Sequence, residues 1–189
     1  INYDGLHQAI NSLAVLGTLL ITKCDVEHGI KKLYNSVVPI GRGNRHNIII
    51  EGKKSLLIDD SYNANPSSVT ASLKSLKEIA GKNRKVLILG EMGELGKFSL
   101  ALHKNIYNYL ISIDINLVIF VGKNTKDLYN LSKRKIECIW AENTEKIVKK
   151  ELIQLIKPMD TILVKGSRYM KMELIINFLI DQFKIKASE

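Results

Sequence analysis

The chain has 189 residues, of which 46% are hydrophobic, and its 28 Lys and Arg against 19 Asp and Glu give a formal net charge of +9. This apolar fraction and a mean hydropathy near zero exclude an intrinsically disordered tail. Two cysteines, Cys24 and Cys138, are too few for a disulfide scaffold or a Cys-rich zinc site, and they suit a reducing cytoplasm.

The first 39 residues are predicted to be mostly helical. The positions that recur at helical spacing are His7, Ile10, Leu13, Ala14 and Gly17. A second short helix is predicted to begin at Asp25, because aspartate is a preferred N-cap residue. The longest apolar stretch, residues 12–22, is shorter than a bilayer span and follows no basic segment, so we expect neither membrane insertion nor a signal peptide.

A domain boundary is predicted between residues 39 and 40, where Pro39, Gly41 and Gly43 interrupt the helical pattern. Beyond it, apolar strands at 47–50 and 55–58 flank a turn. The dipeptide Asn65-Pro66 then marks the start of a helix that ends near Ala80, since asparagine caps helices and proline suits their first position.

Strands and helices continue to alternate to the end of the chain. The predicted strands are 86–89, 117–121, 136–140 and 161–164, and the predicted helices are 100–111, one from 125, 144–156 and 169–183. This alternation predicts an α/β fold over residues 40–189, with a mostly parallel sheet covered by helices on both faces and preceded by the short helical segment.

The first of three unusual loops follows the strand at 55–58 and reads Asp-Asp-Ser-Tyr-Asn-Ala-Asn-Pro at 59–66. Ligands of such sheets bind beyond the carboxyl ends of the strands, where a carboxylate can accept hydrogen bonds from ribose hydroxyls or hold a cation. Two adjacent carboxylates repel each other, so at least one is expected to have a partner. The alternative, a helix cap with an Asx-turn, uses only Asn65 and Ser61. Because it leaves Asp59, Asp60 and Asn63 without a role, we favour a functional loop.

The second loop, residues 90–97, is rich in glycine but matches neither phosphate-binding motif. Glu91 and Phe98 stand where a P-loop needs Gly and Ser or Thr, and Met92 stands where a dinucleotide fingerprint needs Gly. Two interpretations of Glu91 and Glu94 remain equal: the acids meet an ammonium group, or they are solvated on a glycine-rich turn.

The third loop carries Lys165, Ser167 and Arg168 ahead of the last helix, which predicts an anion site. Upstream, Arg42 and Arg45 lie in a junction where arginine either contacts phosphate or is simply solvated. No metal site is predicted, because none of the histidines has a Cys or His partner at metal-ligand spacing. The four histidines are His7, His28, His46 and His103.

The positive charge gives little support for nucleic-acid binding. The lysines are spread along the chain, and no lysine run alternates with aromatic residues on which bases stack. The densest cluster, 82–85, falls just after a predicted helix, where basic residues are common. We expect no nucleic-acid partner.

The motifs occur together in a specific order. They are Gly5, His7 and Asn11; Gly-Arg-Gly at 41–43; the acidic block at 59–66; Leu-Gly-Glu-Met-Gly-Glu-Leu-Gly at 89–96; His103; and Val-Lys-Gly-Ser-Arg-x-Met-Lys-Met-Glu at 164–173. In this order they resemble the Mur ligase family, in particular its MurF branch, which adds D-Ala-D-Ala to UDP-N-acetylmuramoyl-tripeptide in peptidoglycan precursor synthesis. The resemblance covers essentially the whole chain, and the blocks at 59–66 and 165–168 are its most specific parts.

The resemblance implies three domains in the complete protein: a UDP-sugar-binding domain, a central ATPase domain and a C-terminal Rossmann-like domain. Residues 1–39 resemble the last helices of the central domain, and residues 40–189 resemble the whole C-terminal domain. The family's P-loop and metal-binding carboxylates have no counterpart here, and the chain starts at Ile1. We therefore expect a C-terminal fragment without catalytic residues of its own, in which ATP and Mg²⁺ are bound mainly by the missing central domain.

The resemblance also assigns binding residues. Asn11, with His7 of the same motif, matches the adenine site, and Asp60 matches the aspartate that binds ribose hydroxyls. The ATP-contacting arginine of the family lies fifteen residues before that aspartate, which selects Arg45, although Arg42 belongs to the more recognisable Gly-Arg-Gly. Candidates for the D-Ala-D-Ala side are Asn63, Asn65, Lys165, Ser167 and Arg168. On this assignment, replacing Asp60 by asparagine is expected to weaken ATP use and to leave thermal stability nearly unchanged.

Other interpretations remain open. The chain is expected to belong to a monomeric cytoplasmic ligase; the alternatives are another Mur-type ligase and a non-catalytic nucleotide-binding α/β module. Against the module, the elements around His7, Asn11, Arg42 and Arg45 occur in the family's order. The sequence does not identify the third residue of the tripeptide.

Overall fold

The computed structural model describes residues 6–36, 39–93, 95–147 and 151–183. The chain divides into two compact units, residues 1–39 and residues 40–189. This division falls at the position of the predicted boundary, whereas the assignment of the first unit to a central ATPase domain stays a prediction. None of the helices in the described ranges has the length and hydropathy that a membrane span requires.

The first unit contains two helices, α1 (Leu6–Ile21) and α2 (Val26–Tyr34). Asp25 caps α2, as its residue type predicts, and its carboxylate accepts a hydrogen bond from the His28 N–H at 3.0 Å. Apolar side chains on α1 lie at the surface of the chain: Leu13 is 67% exposed and Leu20 is 65% exposed. An apolar face of this kind is typical of a helix that packs on a further part of a protein.

The second unit is built on one six-stranded sheet. Its elements are β1 (Asn44–Ile50), β2 (Lys53–Asp60), α3 (Pro66–Ala80), β3 (Lys85–Leu89), α4 (Ser99–Ser112), β4 (Leu117–Val121), α5 (Lys126–Ser132), β5 (Glu137–Ala141), α6 (Thr144–Ile147), α7 (Glu151–Leu155), β6 (Thr161–Lys165) and α8 (Glu173–Gln182). The strand order is β1-β2-β6-β3-β4-β5, in which β1 is antiparallel to β2 and all other neighbours are parallel. The predicted mostly parallel α/β fold is confirmed.

The alternation of side chains along each strand divides the core into two layers. In β3, Val86 and Ile88 face the layer that contains α6, α7 and α8, whereas Leu87 and Leu89 face the layer that contains α3, α4 and α5. Because strands such as β3 are buried on both faces, they read in the sequence as unbroken apolar runs. Because β2, β6, β3, β4 and β5 run parallel, their carboxyl ends lie at one edge of the sheet, which we call the carboxyl edge.

Two elements differ from the sequence-based expectation, the β1–β2 turn and the last helix. The turn between β1 and β2 is shorter than expected and has only two residues, Glu51 and Gly52. Both have positive φ, 48° and 77°, as a tight two-residue hairpin turn requires. The helix predicted over 144–156 is helical in both of its described parts, α6 and α7, and residues 148–150 between them lie outside the described ranges. The last helix begins at Glu173, and a 3₁₀ turn occupies 168–170, because Lys171 adopts a left-handed conformation with φ of 51°.

A buried ion pair secures the opposite, amino-terminal edge of the sheet. Arg84 Nη1 donates to Asp160 Oδ2 at 2.8 Å, and the Lys157 N–H donates to the same oxygen at 2.9 Å. The Asp160 side chain is fully buried, and this burial raises the pKa of its carboxyl against the opposing effects of Lys157 and Arg84. Arg84 also lies 3.7 Å from Glu137, whose side chain is 61% exposed.

The two carboxylates on Arg84 allow a matched comparison. We expect Asp160→Ala to lower the free energy of unfolding by about 3 kcal/mol, because it leaves Arg84 without its buried counter-charge. Glu137→Ala should lower it by less than about 1 kcal/mol, because exposed ion pairs contribute little. Urea unfolding of both variants measures the difference, and equal losses would contradict a stabilising role for the buried pair.

Candidate functional site

The loops singled out in the sequence meet at the carboxyl edge of the sheet. β6 lies between β2 and β3, and Asp60 is paired in register with Lys165, which in turn is paired with Leu89. The loop after β2 therefore lies beside the loop after β6, and the glycine-rich loop after β3 lies on its other side. These three loops form the candidate site.

Asp60 and Lys165 form an ion pair at the centre of the site. Lys165 Nζ donates to Asp60 Oδ2 at 2.7 Å and to the Asn63 carbonyl at 2.9 Å. Ser72 Oγ, from the second turn of α3, donates to the same Asp60 oxygen at 2.6 Å. The Lys165 side chain is 3% exposed and the Asp60 side chain is 21% exposed, so the carboxylate is the member of the pair that reaches the surface.

This ion pair alters the expected effect of replacing Asp60. The sequence identified Asp60 as a ligand-binding group whose loss would not affect stability. In the structure its charge compensates a buried ammonium, and a buried charge without a partner is costly. Asp60→Asn should therefore reduce stability as well as binding.

The other polar residues of the acidic loop hold its shape. Asp59 is buried, and its Oδ1 accepts the Ser61 N–H at 3.1 Å in an Asx-type turn. Asn65 caps α3 through a capping box with Ser68. The structural interpretation of this loop thus holds for Asn65 and also accounts for Asp59, whereas the exposed Asn63 contributes its carbonyl to Lys165.

Ser167 connects all three loops. Its hydroxyl accepts the Gly93 N–H at 2.6 Å and lies 3.4 Å from the Ala64 carbonyl, and its own N–H donates to the Glu91 carbonyl at 2.8 Å. Ser167 is 3% exposed. Of the three side chains predicted to form an anion site, Lys165 and Ser167 are therefore buried and engaged within the protein. Arg168 is exposed and forms an ion pair with Glu173 at 3.1 Å.

Glu91 differs from both interpretations that the sequence left open. Its carboxylate is buried, and it accepts the Asn124 N–H at 3.0 Å, Asn124 Nδ2 at 2.8 Å and the Tyr169 hydroxyl at 2.7 Å. It therefore meets neutral donors, neither solvent nor an ammonium group. Gly122, with φ of 104°, makes room for it, since a Cβ at that position would overlap the Glu91 side chain. Glu94 lies outside the described residues.

Two arginines and a tyrosine form an exposed group at the rim of the site. The guanidinium carbons of Arg42 and Arg168 lie 4.5 Å and 5.9 Å from the centre of the Tyr62 ring, within the range of cation–π attraction. The Gly41 carbonyl accepts the Tyr62 N–H at 3.0 Å, and a Cβ on Gly41 would lie 2.9 Å from that nitrogen. Glycine at position 41 thus allows the approach that places Arg42 beside Tyr62.

The remaining nucleotide-site candidates lie on β1 and on α1. Arg45 is an exposed residue of β1, opposite Ile58 of β2. Asn11 is exposed on α1, and His7 belongs to the same helix in the first unit. The choice between Arg42 and Arg45 stays open.

Sequence reasoning missed several partners of the site residues: Ser72, Tyr62, Asn124 and Tyr169. Ser72 lies twelve residues from Asp60 and Asn124 lies thirty-three residues from Glu91, so no local pattern connects them. Tyr62 and Tyr169 do lie within the quoted motifs. A tyrosine in a loop at the sheet edge, with its polar hydroxyl, was the sequence signal that could have identified them as partners of the site residues. No cluster of three or more potential metal-binding side chains is found in the described ranges.

Comparison with known proteins places these loops in a family. Residues 44–168 match the model of the Mur ligase family's glutamate ligase domain. A curated UDP-N-acetylmuramoyl-tripeptide–D-alanyl-D-alanine ligase from Rickettsia prowazekii is 35% identical over 91% of this chain, and one from Escherichia coli K12 is 37% identical over 66% of it. The chain spans 37% and 26% of the lengths of these two relatives.

Solved structures show the same fold. A MurF crystal structure from Acinetobacter baumannii superposes with a TM-score of 0.77 and 26% identity, covering 96% of this chain and 39% of that one. A MurF ligase from Thermotoga maritima, solved in complex with ADP, gives a TM-score of 0.73 at 25% identity and covers 98% of this chain and 40% of its own.

The Tyr169–Glu91 hydrogen bond has a measurable consequence. Tyr169 is 58% exposed as a residue, but its hydroxyl is bonded to the buried Glu91 carboxylate; desolvation of the hydroxyl raises its pKa from 10.0 to about 12, and the Glu91 carboxylate acts in the same direction. The folded protein therefore keeps this proton where the unfolded chain has lost it. The resulting stabilisation is present below pH 10 and disappears as the pH rises towards 12.

Ultraviolet titration of the tyrosinate absorbance, taken as the difference between the unmodified protein and Tyr169→Phe, should give a midpoint near pH 12. Glu91→Gln should move that midpoint down, because the neutral amide no longer repels the phenolate. A difference curve centred near pH 10 would show that Tyr169 does not share its proton with Glu91 in solution.

Proposed function

This chain belongs to the Mur ligase family, and we propose that it is the C-terminal part of the ATP-dependent amide ligase that joins D-Ala-D-Ala to UDP-N-acetylmuramoyl-tripeptide. The curated relatives that carry this name support the proposal, because they align along most of this chain at 34–35% identity. The reaction belongs to peptidoglycan precursor synthesis and thus to cell-wall biogenesis.

Asp60 is the observation on which the proposal depends. It stands at the carboxyl end of a central strand, its side chain is 21% exposed, and both of its hydrogen bonds within the described residues are made to Oδ2. Oδ1 can therefore accept hydrogen bonds from hydroxyl groups of a bound ligand. A ribose offers two adjacent hydroxyls, and hydrogen bonds from them to a carboxylate are charge-assisted.

The other nucleotide contacts are assigned by resemblance. We assign adenine to Asn11 with His7, and phosphate to Arg45 or Arg42. When ATP is bound, it supplies the phosphoryl group that activates the tripeptide carboxylate. By the same resemblance we place the phosphate-binding loop and Mg²⁺ in a central ATPase domain, to which we also assign residues 1–39.

On the dipeptide side, the exposed members of the predicted set are the strongest candidates. Arg168 carries an exposed guanidinium at the rim beside Tyr62, and Asn63 is an exposed amide in the adjacent loop. A guanidinium can bind the dipeptide carboxylate with two parallel hydrogen bonds. Lys165 and Ser167 are buried and Asn65 caps α3, so we assign these three to the support of the site.

We expect the complete protein to be a cytoplasmic monomer. Its two free cysteines fit a reducing compartment, since no disulfide is formed in the structure.

Ligation by the full-length protein is the direct test. Supplied with ATP, Mg²⁺, UDP-N-acetylmuramoyl-tripeptide and D-Ala-D-Ala, it should release phosphate and form a product heavier by the dipeptide residue, as read by mass spectrometry. Addition of a single amino acid to a shorter UDP-linked acceptor would identify another Mur-type ligase. Nucleotide binding without any ligation would favour the non-catalytic module.

Asp60→Asn should lower kcat/KM for ATP by about ten- to a hundredfold in the full-length enzyme, because a charge-assisted hydrogen bond contributes about 1.5–3 kcal/mol. The neighbouring Asp59→Asn is the matched control: its Oδ1 accepts the Ser61 N–H, and the amide oxygen of asparagine can replace it. Steady-state kinetics of both variants decide the matter. Equal and small effects would mean that the acidic pair is structural.

A further inference from the structure

We propose that Lys165 is a positioning residue for Asp60 and makes no direct contact with the dipeptide. It fixes one oxygen of the Asp60 carboxylate so that the other is presented to the nucleotide. This inference rests on the proposed function, since it takes Asp60 to be the ribose acceptor.

The burial of Lys165 separates it from any ligand. The residue is 3% exposed, compared with 21% for the side chain of its partner Asp60. Lys165 ends β6, and its carbonyl accepts the Gly90 N–H at 2.7 Å, so its backbone is held between the neighbouring strands β2 and β3. A dipeptide carboxylate would have to displace existing contacts to reach its ammonium group.

The ammonium group is already committed to protein acceptors. Two of its three N–H donors are used, one by Asp60 Oδ2 at 2.7 Å and one by the Asn63 carbonyl at 2.9 Å. The contact with Asn63 ties the loop after β2 to the end of β6. One buried charge therefore sets both the carboxylate and the loop that surrounds it.

The two donors on Asp60 converge on a single oxygen. Ser72 Oγ lies 2.6 Å from Oδ2, the oxygen that also accepts from Lys165. A carboxylate held at one oxygen by two donors has little rotational freedom, and preorganised acceptors bind ligands more tightly because less conformational entropy is lost. Loss of Lys165 should therefore weaken nucleotide binding, and it should affect binding of the dipeptide only indirectly.

The test compares Lys165→Met, which keeps the length of the side chain and removes its charge, with Arg168→Met in the full-length ligase. Lys165→Met should raise the calorimetric Kd for ATP and the KM for ATP by about tenfold, the scale of one charge-assisted hydrogen bond, and change the KM for D-Ala-D-Ala by less than about twofold. Arg168→Met should show the reverse pattern, because its guanidinium is exposed at the dipeptide side.

Coupling between Lys165 and Asp60 gives a second readout. If Lys165 acts through Asp60, Lys165→Met should weaken ATP binding little further in an Asp60→Asn background. If the two residues contacted ATP independently, the factors by which the two substitutions raise Kd would multiply. The double variant should also melt at a higher temperature than Asp60→Asn alone, because it no longer buries an unpaired ammonium. Ser72→Ala, which removes the uncharged donor to the same oxygen, should have the same direction of effect on ATP with a smaller size.

These outcomes distinguish the inference from the proposed function. A wild-type protein that does not ligate D-Ala-D-Ala, with an ATP affinity that still depends on Lys165 through Asp60, refutes the function and keeps the positioning role. An active wild type in which Lys165→Met raises the KM for the dipeptide and leaves that for ATP unchanged overturns the positioning role. If Lys165→Met does not fold, Lys165→Arg keeps the charge and is expected to show the same preference for the ATP parameters.

Discussion

The buried ammonium of Lys165 determines how the carboxyl edge of the sheet is arranged, because a charge excluded from water must find acceptors within the protein. The parallel pairing of β2 with β6 brings Asp60 beside it, and the Asn63 carbonyl accepts a second hydrogen bond from it. Ser72 extends the same cluster into α3. Strand register, loop conformation and helix position are thereby linked through one oxygen of one carboxylate.

Around this pair, the loops are joined mainly by backbone groups. The Ser167 N–H, the Gly93 N–H and the Gly90 N–H each donate to a neighbouring loop or strand end, and the Glu91 carboxylate collects further donors from Asn124 and Tyr169. Polar groups that look available for ligands in the sequence are consumed in this way. Arg42, Tyr62 and Arg168 are among the residues that remain exposed, and they form the rim of the candidate site.

The division between what the sequence predicted well and what it predicted poorly follows the range of the interactions. The strand 117–121 and the helix after Asn65-Pro66 were predicted with their bounds, because apolar runs and capping residues act over a few positions. The role of Glu91 was not, because its partners lie 33 and 78 residues away. Lys165 lies near the backbone N–H groups of a predicted helix start, a pattern that predicts an anion site, and no local feature shows that its partner lies 105 residues earlier.

By itself, the sequence determined the fold class, the position of the division near Pro39, the family resemblance and the three loops of the candidate site, since each depends on residue types at short or fixed spacing. Only the tertiary structure decided which polar side chains of those loops bond to one another and which stay exposed. That choice depends on strand order: inserting β6 between β2 and β3 buries Lys165 beside Asp60 and leaves Arg168 at the surface. Burial and pairing of charges are properties of the assembled sheet, because they depend on neighbours that are distant along the chain.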